Sequence, residues 1–165
     1  MSRPAPELTV LTVSTHARLA RFIQREIDLR GHTAIIAENA DEARAMTGAA
    51  LLDIILLDSI SMAPDSLELA RTLLSIRNIA ILMLVSSVED ITRARASGVE
   101  VRGYLLQPIT TQRLWSGIWD AIAAHSRPQV FAWRAQSGTP DAFNKLLGLA
   151  AFHPDALGGN LDVAV

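Results

Sequence analysis

Short apolar runs recur five times between residues 8 and 106, and most are separated by stretches whose apolar residues step at helical spacing. The runs are Leu8–Val13, Thr33–Ala37, Asp53–Asp58, Ile79–Ser86 and Gly103–Leu106. The third and fourth are apolar nearly throughout, the pattern of strands covered by helices on both faces. Between the first two, Leu19, Ile23 and Ile27 step by four and mark one helical stripe over His16–Arg30, with Gly31 as its C-terminal cap. Asn39 and Glu42 stand at capping-box spacing before a short second helix over Ala40–Thr47. Pro64 and Asp65 open a third helix bearing Leu67, Leu69, Leu73 and Leu74. An Arg-rich fourth spans Val88–Ser97 and ends at Gly98. Thr110 caps a fifth, whose core stripe is Leu114, Ile118 and Ile122. Strand and helix alternating through short connections predict a (βα)5 domain over residues 1–126, built on a parallel sheet.

After Arg127-Pro128 the character changes. Residues 127–165 carry loop signals at Ser137-Gly138 and Gly158-Gly159 and one expected helix near 141–151. They are too few for an independent domain, and a C-terminal extension is expected. Val130, Phe131, Trp133, Phe143 and Phe152 would be costly to leave in water.

Composition narrows the function classes. Half the residues are hydrophobic and 19% are charged, which fits a compact globular chain. A net charge of −2 gives no electrostatic footprint for nucleic acid, although Arg93, Arg95 and Arg102 could form a small local basic patch. The absence of cysteine removes disulfides, thiol catalysis and Cys-ligated zinc. No apolar stretch reads as a signal peptide or a membrane span, so a cytoplasmic location is expected.

In open parallel sheets, ligands and chemistry gather outside the strand C-termini. Asp58 ends the third run there. Ser14-Thr15, Ser86-Ser87 and Gln107-Pro108 end the first, fourth and fifth, with no second acid and no lysine among them. No Gly-rich phosphate loop follows the first run and no nucleophile–base pair is apparent, which weighs against an α/β enzyme. Asp53 reads as the start of the third strand, and His16 as a solvent-facing loop residue without a second ligand at metal spacing. His32, His125 and His153 read as surface or helix-end residues.

Several segments, in order, resemble the receiver domain of two-component response regulators. Leu8–Val13 is similar to its first strand, and Arg18 to His32 to its first helix and exit. Ala37–Ala43 is similar to its second strand–helix junction, and Asp53–Asp58 to its phosphoacceptor strand. Gly103–Pro108 is similar to its fifth strand and the proline that follows the usual lysine. The resemblance covers about residues 8–126. It implies a flavodoxin-like, doubly wound five-stranded sheet with Asp58 in the acceptor place.

The family phosphorylates itself with an acidic pair after strand one, the acceptor aspartate, a Ser or Thr after strand four, and a lysine before the proline. Mg²⁺ wants carboxylate and carbonyl oxygens in near-octahedral array, and offsets charge on the phosphoryl group. By this resemblance, the acidic pair is replaced here by Ser14 and Thr15, and the lysine by Gln107, which cannot make a charge-assisted bond to phosphate. Ser86 takes the place of the switch hydroxyl and Tyr104 that of the switch aromatic, with a partly exposed strand residue as the plainer reading of Tyr104. An alternative role for Asp58 is as hydrogen-bond acceptor for Ser86 or Gln107. The expectation is a degenerate site with no catalytic residue, no cofactor, and Mg²⁺ held weakly at best through Asp58.

Trp115 and Trp119 lie four apart, hence on one helical face, beside the Leu114–Ile118–Ile122 stripe. Receiver-like proteins often associate through the fourth helix, fifth strand and fifth helix. The two tryptophans are expected on that surface, either in a homodimer or beneath the C-terminal extension. The reading is a stand-alone atypical receiver of the phosphorelay type, not an enzyme. It would act through protein partners such as a histidine kinase or another regulatory protein. The alternative is a functional phosphoacceptor, with Asp58 phosphorylated by a histidine kinase and Ser86 reading the phosphate.

Overall fold

A computed structural model of the protein describes residues 6–126. Five strands and five helices alternate along them: β1 (Thr9–Val13), α1 (Ala17–Leu29), β2 (Thr33–Ala37), α2 (Ala40–Ala49), β3 (Ile54–Asp58), α3 (Ser66–Ile76), β4 (Ala80–Val85), α4 (Val88–Ala96), β5 (Gly103–Leu106) and α5 (Thr111–Ser126). The strands form one parallel sheet in the order β2-β1-β3-β4-β5, which is the doubly wound flavodoxin-like arrangement. The expected extension over 127–165, with its helix near 141–151 and the aromatic residues assigned to it, lies outside the described residues. So does His153.

The apolar runs become strands because both sides of the sheet are covered. Alternate residues of the central strands divide between two cores. Leu11, Val13, Ile55, Leu57, Ile81 and Met83 face α2, α3 and α4. Val10, Ile54, Leu56, Leu82 and Leu84 face α1 and α5. β3 and β4 contribute side chains to both, so every residue of each is buried.

Local chemistry sets the helix ends. Asn39 Oδ1 accepts from the Glu42 amide at 2.8 Å, and the Glu42 carboxylate returns to the Glu38 amide at 2.8 Å, a capping box shifted by one residue. Ser87 Oγ caps α4 by accepting from the Asp90 amide, and Thr110 Oγ1 caps α5 by accepting from Arg113. Gly31 and Gly98 leave α1 and α4 at φ +77° and +76°, the left-handed turn that a side chain disfavours. His16 is exposed in the connection before α1, as expected, and there serves as the N-cap, its Nδ1 accepting from the Leu19 amide at 3.3 Å. Asp53 reaches across the sheet edge to accept from the Thr9 amide at 2.7 Å. Among the described residues, no helix is long and apolar enough to cross a membrane.

Candidate functional site

The chain reverses its winding between β1 and β3, and the crevice at their C-terminal ends holds the chemistry. Asp58, the last residue of β3, is 2% exposed. Each of its carboxylate oxygens is engaged. Ser14, directly after β1 and also 2% exposed, donates from Oγ to Oδ2 at 2.8 Å. Gln107, directly after β5, donates from Nε2 to Oδ1 at 3.2 Å. The Ile60 amide donates to the same Oδ1 at 3.2 Å, and the Ser61 amide lies at 3.5 Å. All of these donors are neutral.

Ser61 is the residue that sequence reading missed. The Thr15 amide donates to Ser61 Oγ at 3.0 Å, the Ser14 and Ser61 hydroxyls lie 3.3 Å apart, and Thr15 Oγ1 approaches the Ser61 carbonyl at 3.5 Å. Ser14 Oγ also accepts from the His16 amide at 3.0 Å. The turn after β3 is thereby tied to the turn after β1 through hydroxyls, where the resemblance implies a metal bound by carboxylates. Nothing periodic marks a serine in such a turn, and only its partner across the crevice reveals it.

This donor set does not suit Mg²⁺, which asks for several hard oxygens with negative charge among them. One carboxylate is present, both its oxygens already accept from the protein, and the neighbouring hydroxyls add no charge. Among the described residues, no group of three or more His, Cys, Asp or Glu converges on one point.

Ser86 sits just beyond β4 and is exposed, but its hydroxyl turns away from Asp58 and donates to Asp90 Oδ2 at 2.8 Å. Asp90 also pairs with Arg93 at 3.3 Å. Hydrogen bonds from Ser86 and Ser87 hold the Asp90 carboxyl below the usual carboxylate range against the opposing effect of burial, and the charge of Arg93 adds the smallest lowering contribution. Of the two partners expected for Asp58, Gln107 is the one brought to it. Tyr104 is half-buried on β5 with the Arg95 guanidinium 5.6 Å from its ring centroid. Burial raises the Tyr104 hydroxyl above its ordinary value although the Arg95 charge pulls the other way. Arg102 donates from Nε to His125 Nδ1 at 3.3 Å. The three arginines expected as a basic patch thus each meet a different side chain.

The tryptophans need correcting. Trp115 is 4% exposed and packs in the core shared with Ile23 and Ile27 of α1. Its ring lies 5.3 Å from that of His32, and Arg30 Cζ stands 4.5 Å from its centroid. Trp119, 43% exposed, meets His32 edge-on at 6.4 Å. Both therefore face the α1 side of α5, not the side shared with α4 and β5. The physical reason is that α1 and α5 cover the same sheet face, leaving between them a gap wide enough for a large ring.

No protein-family model matches the chain. It is 27% identical over 108 residues to the transcriptional regulatory protein ResD of Bacillus subtilis, an alignment covering 66% of this chain and 45% of that protein. The chain thus spans less than half the length of this curated relative. Among solved structures, the signal receiver domain of a modulated diguanylate cyclase from Desulfovibrio desulfuricans is similar at 27% identity and a TM-score of 0.63, covering 73% of this chain and 98% of that one. A CheY-like response regulator receiver domain protein from Methanospirillum hungatei matches at 17% identity and a TM-score of 0.64, covering 74% and 98%. Chemotaxis protein CheY4 of Vibrio cholerae matches at 21% identity and 0.63, covering 70% and 99%.

Proposed function

We propose that this chain, which carries a response-regulator receiver domain, is a two-component signalling module working through protein–protein contacts with little or no Mg²⁺-dependent phosphorylation of Asp58. The observation that carries this reading is the state of the carboxylate. Ser14 and Gln107 occupy Asp58 with neutral hydrogen bonds, in the places where the resemblance implies a metal ligand and a cation. Phosphoryl transfer is catalysed mainly by positioning and charge stabilisation. A crevice with one carboxylate and no cation supplies little of the second. An attacking Asp58 oxygen would also have to give up hydrogen bonds that the folded domain makes for it.

In this reading the protein is cytoplasmic and is not an enzyme. Its partners are proteins: a histidine kinase, another regulatory protein, or a second copy meeting it through α4, β5 and α5. β5 ends the sheet, so that face is open to a partner without unfolding, and Tyr104 with Arg95 lies on it.

Incubation with acetyl phosphate and Mg²⁺, followed by intact mass measurement, tests the reading. The expected result is an unchanged mass. A gain of one phosphate that needs Mg²⁺ and disappears in Asp58→Asn would overturn it and establish the working phosphoacceptor instead. Light scattering on the chain tests the second-copy partner, for which a monomer at every concentration is the adverse outcome.

A further inference from the structure

We propose that the outer edge of β2 is a self-association surface, pairing antiparallel with β2 of a second copy so that one sheet runs through both. β2 ends the sheet opposite to β5 and pairs with β1 alone among the described strands. The surface therefore lies away from α4, β5 and α5 and does not depend on the state of Asp58. The Thr33 amide donates to the Leu8 carbonyl at 2.8 Å, and the Ala37 carbonyl accepts from the Ser14 amide at 3.1 Å. Backbone groups alternate in direction along a strand, so Thr33, Ile35 and Ala37 turn theirs toward β1. Ala34 and Ile36 turn theirs outward. The free stretch is bounded on both sides, because the His32 amide donates to the Ile27 carbonyl at 3.2 Å and the Glu38 amide to the Glu42 carboxylate at 2.8 Å.

An open row of N–H and C=O groups is a template for another strand, and proteins ordinarily guard it with charge, proline, a bulge or shortness. The opposite edge is guarded in this way. β5 is only four residues long and opens on Gly103, with Arg102 before it and Pro108 just beyond. β2 carries none of these devices. It reads Thr-Ala-Ile-Ile-Ala, with no charged residue and no proline, and its register with β1 runs unbroken from Thr33 to Ala37. Ala34, Ile35 and Ile36 are half-buried, so a second strand laid beside them covers further apolar surface.

The edge is complementary to itself. A two-fold axis at Ile35 sets Ala34 of one copy opposite Ile36 of the other, and such a pair exchanges both of its backbone bonds. Ile35 then faces its own counterpart in the closer, non-hydrogen-bonded pair, where apolar side chains meet. The same register opposes the charged ends of the strand. Glu38, just past β2 in one copy, comes beside Arg30 and His32, just ahead of β2 in the other. Glu38 and Arg30 are exposed, and neither takes part in an ion pair among the described residues. The agreement of backbone bonds, apolar pair and charge in one register selects a second copy over an unrelated extended peptide.

The test combines sedimentation equilibrium with amide exchange by ¹H–¹⁵N NMR, on the full chain over a dilution series. With rising concentration the mass is expected to double and exchange at Ala34 and Ile36 to slow about tenfold or more. The Thr33 and Ile35 amides, already bonded to β1, should stay protected throughout. Ile36→Pro removes an outward N–H that the fold does not use, a substitution that an edge strand accepts. It should weaken association about tenfold or more, and Ile36→Lys, which keeps the backbone intact, should do the same. Glu38→Arg should also weaken it, whereas Tyr104→Ala, on β5, should leave it unchanged. The proposal fails if the chain is monomeric at every concentration, or if both Ile36 variants associate as well as the parent. It fails if Tyr104→Ala abolishes association while Ala34 and Ile36 exchange fast in the parent. Protection of those two amides in the monomer would overturn it as well, since the chain would then cover its own edge.

Discussion

Ser14 Oγ donates to Asp58 Oδ2 across 2.8 Å in a crevice where both residues are 2% exposed. A buried carboxylate that loses such a donor is left short of a charge-assisted bond. Ser14→Ala is expected to cost about 1–3 kcal/mol in urea denaturation. Ser14→Asp poses the sharper question, because it sets two carboxylates at hydrogen-bond distance. Without metal it should destabilise more than Ser14→Ala, by like-charge repulsion. Added Mg²⁺ should then raise its melting temperature while leaving that of the parent unchanged. A parent protein that gains as much from Mg²⁺ as Ser14→Asp would show that the native crevice already holds the metal.

Thr12, on β1 and 1% exposed, keeps its Oγ1 buried with no hydrogen-bond partner among the described residues. Thr12→Val replaces a desolvated hydroxyl by a methyl group of similar shape. A gain of about 1 kcal/mol is expected, read as a higher urea midpoint with an unchanged slope. A loss would mean that the hydroxyl has a partner that the valine cannot replace.

What the sequence made legible divides along physical lines. β2 and β5 fall where the apolar runs put them, β1 and β3 start one residue later, and β4 is one residue shorter at each end, because burial on both faces writes itself as uninterrupted hydrophobicity. Helix caps at Asn39 and Thr110 were equally readable, being local side-chain chemistry. The direction of Ser86 was not readable. It depends on how the backbone leaves β4, and the competing acceptor, Asp90, lies four residues on, in the first turn of α4. Trp115 and Trp119 were placed on the wrong side of α5 because a stripe defines a face of one helix and not the neighbour it meets. His32, which sits against both rings, comes from a connection far away in sequence.

Those two tryptophans should separate cleanly in energy. Trp115→Ala is expected to cost about 3–5 kcal/mol, as for other large buried aromatics, and Trp119→Ala about 1 kcal/mol or less, since its ring is nearly half exposed. Trp115→Phe should cost far less than Trp115→Ala. The indole Nε1 is buried without a partner among the described residues, so removing it relieves a desolvated donor while keeping most of the ring. Equal losses for Trp115→Ala and Trp119→Ala would contradict the packing of α5 against α1.

Gly117 lets α5 approach the sheet. A Cβ there would meet Leu105 Cδ2 at 2.8 Å and its Cδ1 and Cγ at 3.0 Å, with Leu105 itself 7% exposed. Alanine gains up to about 1 kcal/mol in helix propensity, but overpacking costs about 1–3 kcal/mol. The clash includes the Leu105 branch point as well as its flexible tips, so the second effect should win and Gly117→Ala should destabilise. In a Leu105→Ala background the clash is gone and the same substitution should become neutral or stabilising. That change of sign in a double-mutant cycle is the measurement; strict additivity would place the two residues out of contact.

His125, in the last turn of α5, gives the domain a pH dependence whose sign is fixed by its surroundings. Burial, and after it the charge of Arg102, pull the imidazole below its ordinary value, while a hydrogen bond to the Asn78 backbone pulls weakly upward. Arg102 Nε donates to Nδ1 at 3.3 Å, a bond that only the neutral ring accepts. The unfolded chain takes up its proton near the ordinary value of about 6.5, and the folded chain does so at lower pH. Between the two the unfolded state binds more protons, so the contribution to stability is complete above about 6.5 and is lost as pH falls through the folded value. Arg102→Ala removes one of the two lowering causes. It should bring the His125 Hε1 titration, followed by NMR, closer to its ordinary midpoint and shrink the loss of stability between about pH 7.5 and pH 5. A midpoint that stays in place or moves lower in Arg102→Ala would mean that burial alone sets the shift.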